Sequence, residues 1–327
     1  MRISRGKFAT QSSLYQHLTP PFIFFIFFRK PFIFFLHLPH FSIFSNKKTY
    51  KYDDKFKRKA RKHQFEFREK VLHNTYDEKN RQVILTSEAA KQGLIFCEVY
   101  RDLISREVKS FGTSTLFSNM LRSEHIPYNI FTPMKENLYA TTMLFNEIIG
   151  GGISSITDIK IEFAGKDKNK ELYLNDGTSF DTYIKYISTD GEEGGIGIEV
   201  KYTERGYRIE KDEKDKINNK NSKYHLISKL CGYYKDSLDI TSFIKANHLR
   251  QIWRNHILGY TMLHKGEIKR FHHIHLYPQG NEHFRDRALP EYKTILTERG
   301  KDSFIDLTYE NLFELMHKYF QTPKQQE

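Results

Sequence analysis

The chain has 327 residues, 52 Lys and Arg against 40 Asp and Glu for a net charge of +12, and 15% aromatic side chains. Its two cysteines, Cys97 and Cys231, stand alone without a CxxC pair, which argues against a zinc module and fits a reducing cytoplasm. Neither a P-loop nor a dinucleotide-binding glycine fingerprint occurs, so nothing in the sequence implies ATP hydrolysis or translocation.

The basic charge is concentrated. Residues 1–50 hold seven Lys and Arg, no acid and eleven of the 27 phenylalanines, and without them the net charge is +5. Their apolar runs within 21–44 are broken by Arg29-Lys30-Pro31 and Pro39-His40. Neither run reaches the roughly 20 residues that cross a bilayer, and two central cations would cost about 2.5–3.5 kcal/mol each. A secretory signal is disfavoured as well, because the apolar region begins late and no small-residue cleavage site follows. We read 1–50 as a disordered or non-native extension, such as translation from upstream of the true start, with a membrane-associating tail as the minor alternative.

Residues 51–70 carry nine basic and four acidic side chains, which accounts for the whole remaining +5. Lys55-Phe-Lys-Arg-Lys-Ala-Arg-Lys62 reads as a basic helix continuing to about Leu72. Lys57, Arg58, Arg61 and Lys62 are its candidate phosphate contacts, although the same charges also suit a merely solvated helix. A helix follows over 87–110 with Ser87 as N-cap, and another near 114–123 leads into turns at Pro127 and Pro133. Residues 51–135 thus form a helical N-terminal region.

The spacing predicts a regular order of elements from 136 to 320. Leu138, Leu144, Phe145 and Ile148 give an amphipathic helix over 136–149, ended by Gly150-Gly151-Gly152. Ile156–Phe163 alternates as a strand, with Asp158, Lys160 and Glu162 on its polar face. Lys166, Lys168 and Lys170 on the next loop are further candidate backbone contacts. After the Asn175-Asp176-Gly177 turn signal, 180–187 reads as a strand that begins near Asp181. In the strand 195–202, Ile196, Ile198 and Val200 point one way while Glu199 and Lys201 point the other. Gly195 and Gly197 leave space on that charged face, so a carboxylate and an ammonium project together into a cleft. Residues 203–246 read as an exposed excursion, loop or mobile helix. A helix over 247–264 and a strand over 271–277 close the set, with His273 and His275 as strand-face histidines and 321–327 as a tail.

Asp181 with Glu199-Val200-Lys201 is the group that carries chemistry. Hydrolysing a phosphodiester near neutral pH calls for a cation that offsets charge on the phosphate oxygens and acidifies the attacking water. Mg²⁺ is held by one or two carboxylates, with waters and substrate oxygens completing the shell, which suits Asp181 and Glu199. A lysine two residues on can orient the water or stabilise the transition state.

This order of helix, three strands, helix and strand resembles the PD-(D/E)XK nuclease superfamily, and within it a group of restriction-endonuclease-like proteins. Asp181 matches the superfamily's aspartate and Glu199-Val200-Lys201 its (D/E)XK element. Phe117–Asn129, Thr178–Asp181, Ile198–Glu204 and Gln251–His256 carry the likeness further, over roughly 52–320. Phe180 stands where the name-giving proline would be.

The resemblance implies an α/β restriction-endonuclease-like core, with a mixed sheet flanked by helices. It places an additional acid at Glu147, with Glu162 the weaker alternative. Gln251 and Arg254 share a helix face, from which they could bond the lysine or a phosphate. The expectation is a cytoplasmic, Mg²⁺-dependent DNA endonuclease of restriction or defence, with Mn²⁺ a possible substitute and pairing as a homodimer open. The alternative is a catalytically inactive nucleic-acid-binding or interaction protein on the same fold.

Overall fold

A computed structural model describes residues 51–74, 83–167, 169–206, 209 and 211–320. The extension 1–50, Lys168 and the tail 321–327 lie outside the described residues.

Helix α1 (Lys55–Lys70) starts where the Asp54 side chain accepts from Lys57 N, and it buries Ala60, Gln64 and Arg68. The one helix expected over 87–110 is two, α2 (Ser87–Lys91) and α3 (Arg101–Val108), joined through a short turn at Glu98–Tyr100. Gly93 explains the break. It takes φ +67°, and a Cβ there would lie 2.3 Å from the Phe111 ring, so the chain turns where only glycine fits. The cap is Thr86, whose side chain accepts from Ala89 N, and not Ser87.

After the short α4 (Thr115–Ser118), Pro127 and Pro133 prove to lie within a helix, α5 (Ile126–Lys135). Pro127 sits in its first turn, where a missing N–H costs nothing. Helix α6 (Leu138–Ile149) ends at Gly150 with φ +82°.

Strands β1 (Ile153–Phe163), β2 (Phe180–Ser188) and β3 (Glu193–Val200) follow as an antiparallel set. Helices α7 (Lys211–Asn218), α8 (Lys223–Leu230), α9 (Ile240–Lys245) and α10 (Arg250–His264) lead to β4 (Arg270–Tyr277). Then come α11 (Leu289–Ile295), α12 (Glu298–Asp302), β5 (Phe304–Thr308) and α13 (Tyr309–Tyr319). The sheet order is β1-β2-β3-β4-β5, with β3, β4 and β5 parallel. The α-β-β-β-α-β order and the mixed sheet are those expected, and β5 and α13 are additions the sequence reading did not foresee.

Each face of the sheet has its own core. On one, Ile159, Ile184, Ile196, Ile198 and Val200 meet Phe131 of α5 and Leu144 and Phe145 of α6. On the other, Phe180, Tyr183 and Phe271 meet Trp253 and Ile257 of α10. The excursion 203–246 is not exposed as expected. Ile217, Tyr224, Tyr233 and Ile244 are almost wholly buried in the second core. Most of its described lysines form an outer face, while Glu213 turns inward to Arg250 and Arg254, and the buried apolar side chains anchor α7 to α9. No helix among the described residues is long and apolar enough to cross a membrane.

Candidate active site

The sheet register builds the site. Thr182 pairs with Ile198, so at the next step Asp181 comes opposite Glu199 at the strand ends. Asp181 Oδ2 accepts a 2.7 Å hydrogen bond from Val200 N, which ties the two strands together there. Glu199 is 1% exposed, its Oε1 is 2.5 Å from Lys201 Nζ, and its Oε2 accepts from Asn255 Nδ2 on α10. Lys201 is fixed through its backbone, since its N donates to Leu276 O at 2.8 Å and its O accepts from Tyr309 Oη at 2.7 Å. Gln251 lies one turn before Asn255 on the same helix face, and its Oε1 is buried without a hydrogen-bond partner among the described residues.

The charged face has less room than the glycines promise. A Cβ at Gly195 would lie 2.1 Å from Tyr183 Oη, and one at Gly197 would lie 2.3 Å from the Phe180 ring. These glycines admit aromatic rings from β2, and the polar groups gather only at the strand ends. There the like charges of Asp181 and Glu199 are crowded into a desolvated corner. Burial, and next the charge of Glu199, push the Asp181 carboxyl up to about 8. Burial also raises Glu199, against the pull of the Lys201 ammonium.

The two additional acids fall out differently than the sequence ranked them. Glu147 is exposed on α6, and its carboxylate binds Lys318 at 2.7 Å and the Tyr319 hydroxyl on α13. The structure does not bring it to Asp181 and Glu199. Glu162 does lie beside them: Ile161 pairs with Thr182 and Phe163 with Phe180, which puts Glu162 opposite Asp181. Its φ of +56° breaks the strand's alternation, so that Phe163 stacks on Tyr183 with ring centroids 4.5 Å apart. Ser179 Oγ donates to Glu162 Oε2 at 3.0 Å. Although the residue keeps contact with solvent, partial desolvation by the surrounding protein, and next the charge of Asp181, raise the Glu162 carboxyl.

His275 pairs with Glu199 on one side and Asp306 on the other. An ionisable row, Glu162, Asp181, Glu199, His275 and Asp306, therefore crosses all five strands. Both His273 and His275 are fully buried; burial pushes His273 down to about 3 and His275 well below its ordinary value. They are neutral core side chains.

No group of three or more His, Cys, Asp and Glu that could hold a metal ion occurs among the described residues. Asp181 and Glu199 still fit a hard divalent ion, which needs only one or two carboxylates, and a cation between them would relieve their crowding.

The basic residues divide. Helix α1 flanks the chain leaving β3: the Phe56 ring meets Tyr202 edge-on at 6.1 Å, and Gln64 Nε2 donates to Tyr202 Oη at 3.1 Å. On that helix Lys57 and Arg61 lie 3.8 and 2.7 Å from Asp53, Lys62 is 3.9 Å from Glu66, and Arg58 is exposed. Arg254 does not present an open guanidinium, since its Nη1 is 2.8 Å from Glu213 Oε1 on α7, where Arg250 Nε also reaches at 2.9 Å.

Sequence reasoning missed Asn255, although its place four residues after Gln251 was a usable signal. It also missed Glu204, which has none. Glu204 accepts from Ser123 N at 2.7 Å and from Tyr202 N at 3.0 Å, tying the α4–α5 connection to the chain beyond β3.

Residues 51–327 match the family model of the PD-(D/E)XK nuclease superfamily. No curated protein and no solved structure matches the chain.

Proposed function

Because the chain belongs to the PD-(D/E)XK nuclease superfamily, we propose that it hydrolyses DNA phosphodiester bonds in a Mg²⁺-dependent reaction, as an endonuclease of restriction or defence. The observation that carries this reading is the meeting of Asp181, Glu199 and Lys201 at one corner of the sheet, two strands supplying the acids and the third side chain ion-paired to Glu199 at 2.5 Å.

Asp181 and Glu199 would hold the ion, with Mn²⁺ an acceptable replacement because it takes the same oxygen donors. A bound ion would offset charge on the scissile phosphate and acidify the attacking water. Burial, and next the charge of Glu199, raise the Asp181 carboxyl, and a bound cation would favour its charged form instead. The Lys201 ammonium, two residues along β3 from the ligand, donates to the water or to the phosphate as charge builds. Gln251, whose Oε1 has no partner among the described residues, would offer a further acceptor one helical turn before Asn255. Phosphates flanking the cut would run over α1, where Arg58 and Lys62 face solvent. Cys97 and Cys231 are free thiols, which suits the cytoplasm, and a homodimer would let two such sites cut both strands.

The test is cleavage by the full chain of supercoiled, linear and single-stranded DNA and of RNA, with Mg²⁺ and with EDTA. Mg²⁺-dependent nicking of DNA that Lys201→Ala abolishes is the expected result. Equal cleavage by that variant would remove the assignment.

A further inference from the structure

Glu199 is gripped from two sides, and the grips differ in kind. Lys201 reaches Oε1 on a long flexible arm from its own strand. Asn255 reaches Oε2 from α10 with an amide that is 1% exposed. The turn around Asn255 is locked on both sides. Trp253 Nε1 donates to Ser228 Oγ at 2.9 Å, and the His256 ring nitrogens lie 2.9 Å from Tyr292 Oη and 2.7 Å from Ser303 Oγ. Asn255 therefore cannot swing away without opening the second core, whereas the flexible lysine arm can turn to another acceptor once a cation takes over the charge it neutralises.

A buried carboxamide left without a partner costs about 1–3 kcal/mol, so packing alone would be served as well by leucine at this position. A neutral donor also has a property that a second lysine or arginine would lack. It fixes the carboxylate without adding a charge that repels a cation. Resting on the metal-site reading above, we propose that Asn255 is a positioning residue, which holds Glu199 by Oε2 and leaves Oε1, the oxygen now shared with Lys201, as the one offered to a hard divalent cation. Partners of this kind orient ligands throughout metalloproteins, and losing one typically weakens metal binding about 10- to 100-fold.

The experiment is calorimetric titration of the full chain with Ca²⁺, another hard oxygen-seeking ion, in the absence of nucleic acid. Asn255→Leu, which keeps the branched shape and removes the donor, should weaken Ca²⁺ binding about 10- to 100-fold. Asn255→Gln, which keeps a donor on a longer arm, should fall between. In parallel, the Mg²⁺ concentration for half-maximal cleavage should rise in the leucine variant, while its affinity for a DNA duplex in EDTA stays at the wild-type value. A merely structural role would instead lower the folded fraction and shift both. A folded Asn255→Leu with wild-type Ca²⁺ affinity would overturn the inference. If the leucine variant does not fold, Asn255→Gln decides, with unchanged Ca²⁺ affinity overturning it and a folded, weaker binder supporting it. Wild-type protein that takes up no Ca²⁺ would remove the metal site itself, whereas uptake unaffected by residue 255 would remove only the role of Asn255.

Discussion

Lys201 Nζ and Glu199 Oε1 are 2.5 Å apart, with their side chains 6% and 1% exposed, so the two charges at the end of β3 neutralise each other out of reach of water. Breaking a buried pair by removing one partner is costly because the other charge is left uncompensated.

Lys201→Ala should therefore lose stability, by about 3–5 kcal/mol, as well as at least about a hundredfold in cleavage rate. The double variant Glu199→Gln with Lys201→Met should recover most of the stability and none of the activity. Urea unfolding beside plasmid nicking checks both, and a double variant as unstable as Lys201→Ala would contradict the buried-pair account.

Glu147 and Glu162 offer a direct contrast. Glu147 forms a surface pair with Lys318, 57% exposed, and such pairs contribute about 0–1 kcal/mol, so Glu147→Gln should leave both stability and cleavage close to wild type. Glu162→Gln should reduce cleavage about tenfold, in the range seen for groups that support metal ligands. The reverse order of effects in a side-by-side rate measurement would show that the acid from α6 is the one in use.

Exposed Arg58 and Lys62 on α1 should act through phosphates alone. Each alanine substitution should weaken binding to any DNA sequence alike, and should reduce the slope of log affinity against log salt by about 1. Lys57 and Arg61, held by Asp53, should matter less. Fluorescence anisotropy in EDTA across a salt series separates them, and a sequence-dependent loss would argue for base contacts instead.

Acid should destabilise the fold through its buried histidines. Burial lowers His273 from 6.5 to about 3, and it lowers His256 well below its ordinary value. Between those values the unfolded chain binds protons that the folded chain does not. The contribution of these histidines is thus complete above about pH 6.5 and falls as pH drops toward 3, at up to about 1.4 kcal/mol per pH unit for each residue. In urea unfolding at several pH values, His273→Leu should flatten the slope. An unchanged slope would mean that other groups cause the loss.

Gly197→Ala tests how tightly the site is backed. The new methyl carbon would stand 2.3 Å from the buried Phe180 ring, an overpacking that costs about 1–3 kcal/mol. Because Phe180 precedes Asp181, cleavage should fall together with the melting temperature; a loss of neither would mean that the ring has somewhere to go.

The sequence alone determined the strands and the acids on them, because period-two alternation is written locally: Ile196, Ile198 and Val200 against Glu199 and Lys201, after a helix ended by glycines. It also determined the family, through residues within a few positions of one another. Whatever depended on partners far along the chain was closed to it. Glu147 ranked above Glu162 as the additional acid until α13 claimed the first and the β1–β2 register placed the second opposite Asp181. Gly195 and Gly197 promised a cleft until rings from β2 filled it. The excursion 203–246 looked solvated because its charges are contiguous in sequence, whereas its burial depends on Tyr224, Tyr233 and Ile244 finding α10. Asn255 reaches Glu199 across 56 residues, and only the packing of α10 on β3 could reveal that contact, because a hydrogen bond depends on distance in space and leaves no period in the sequence.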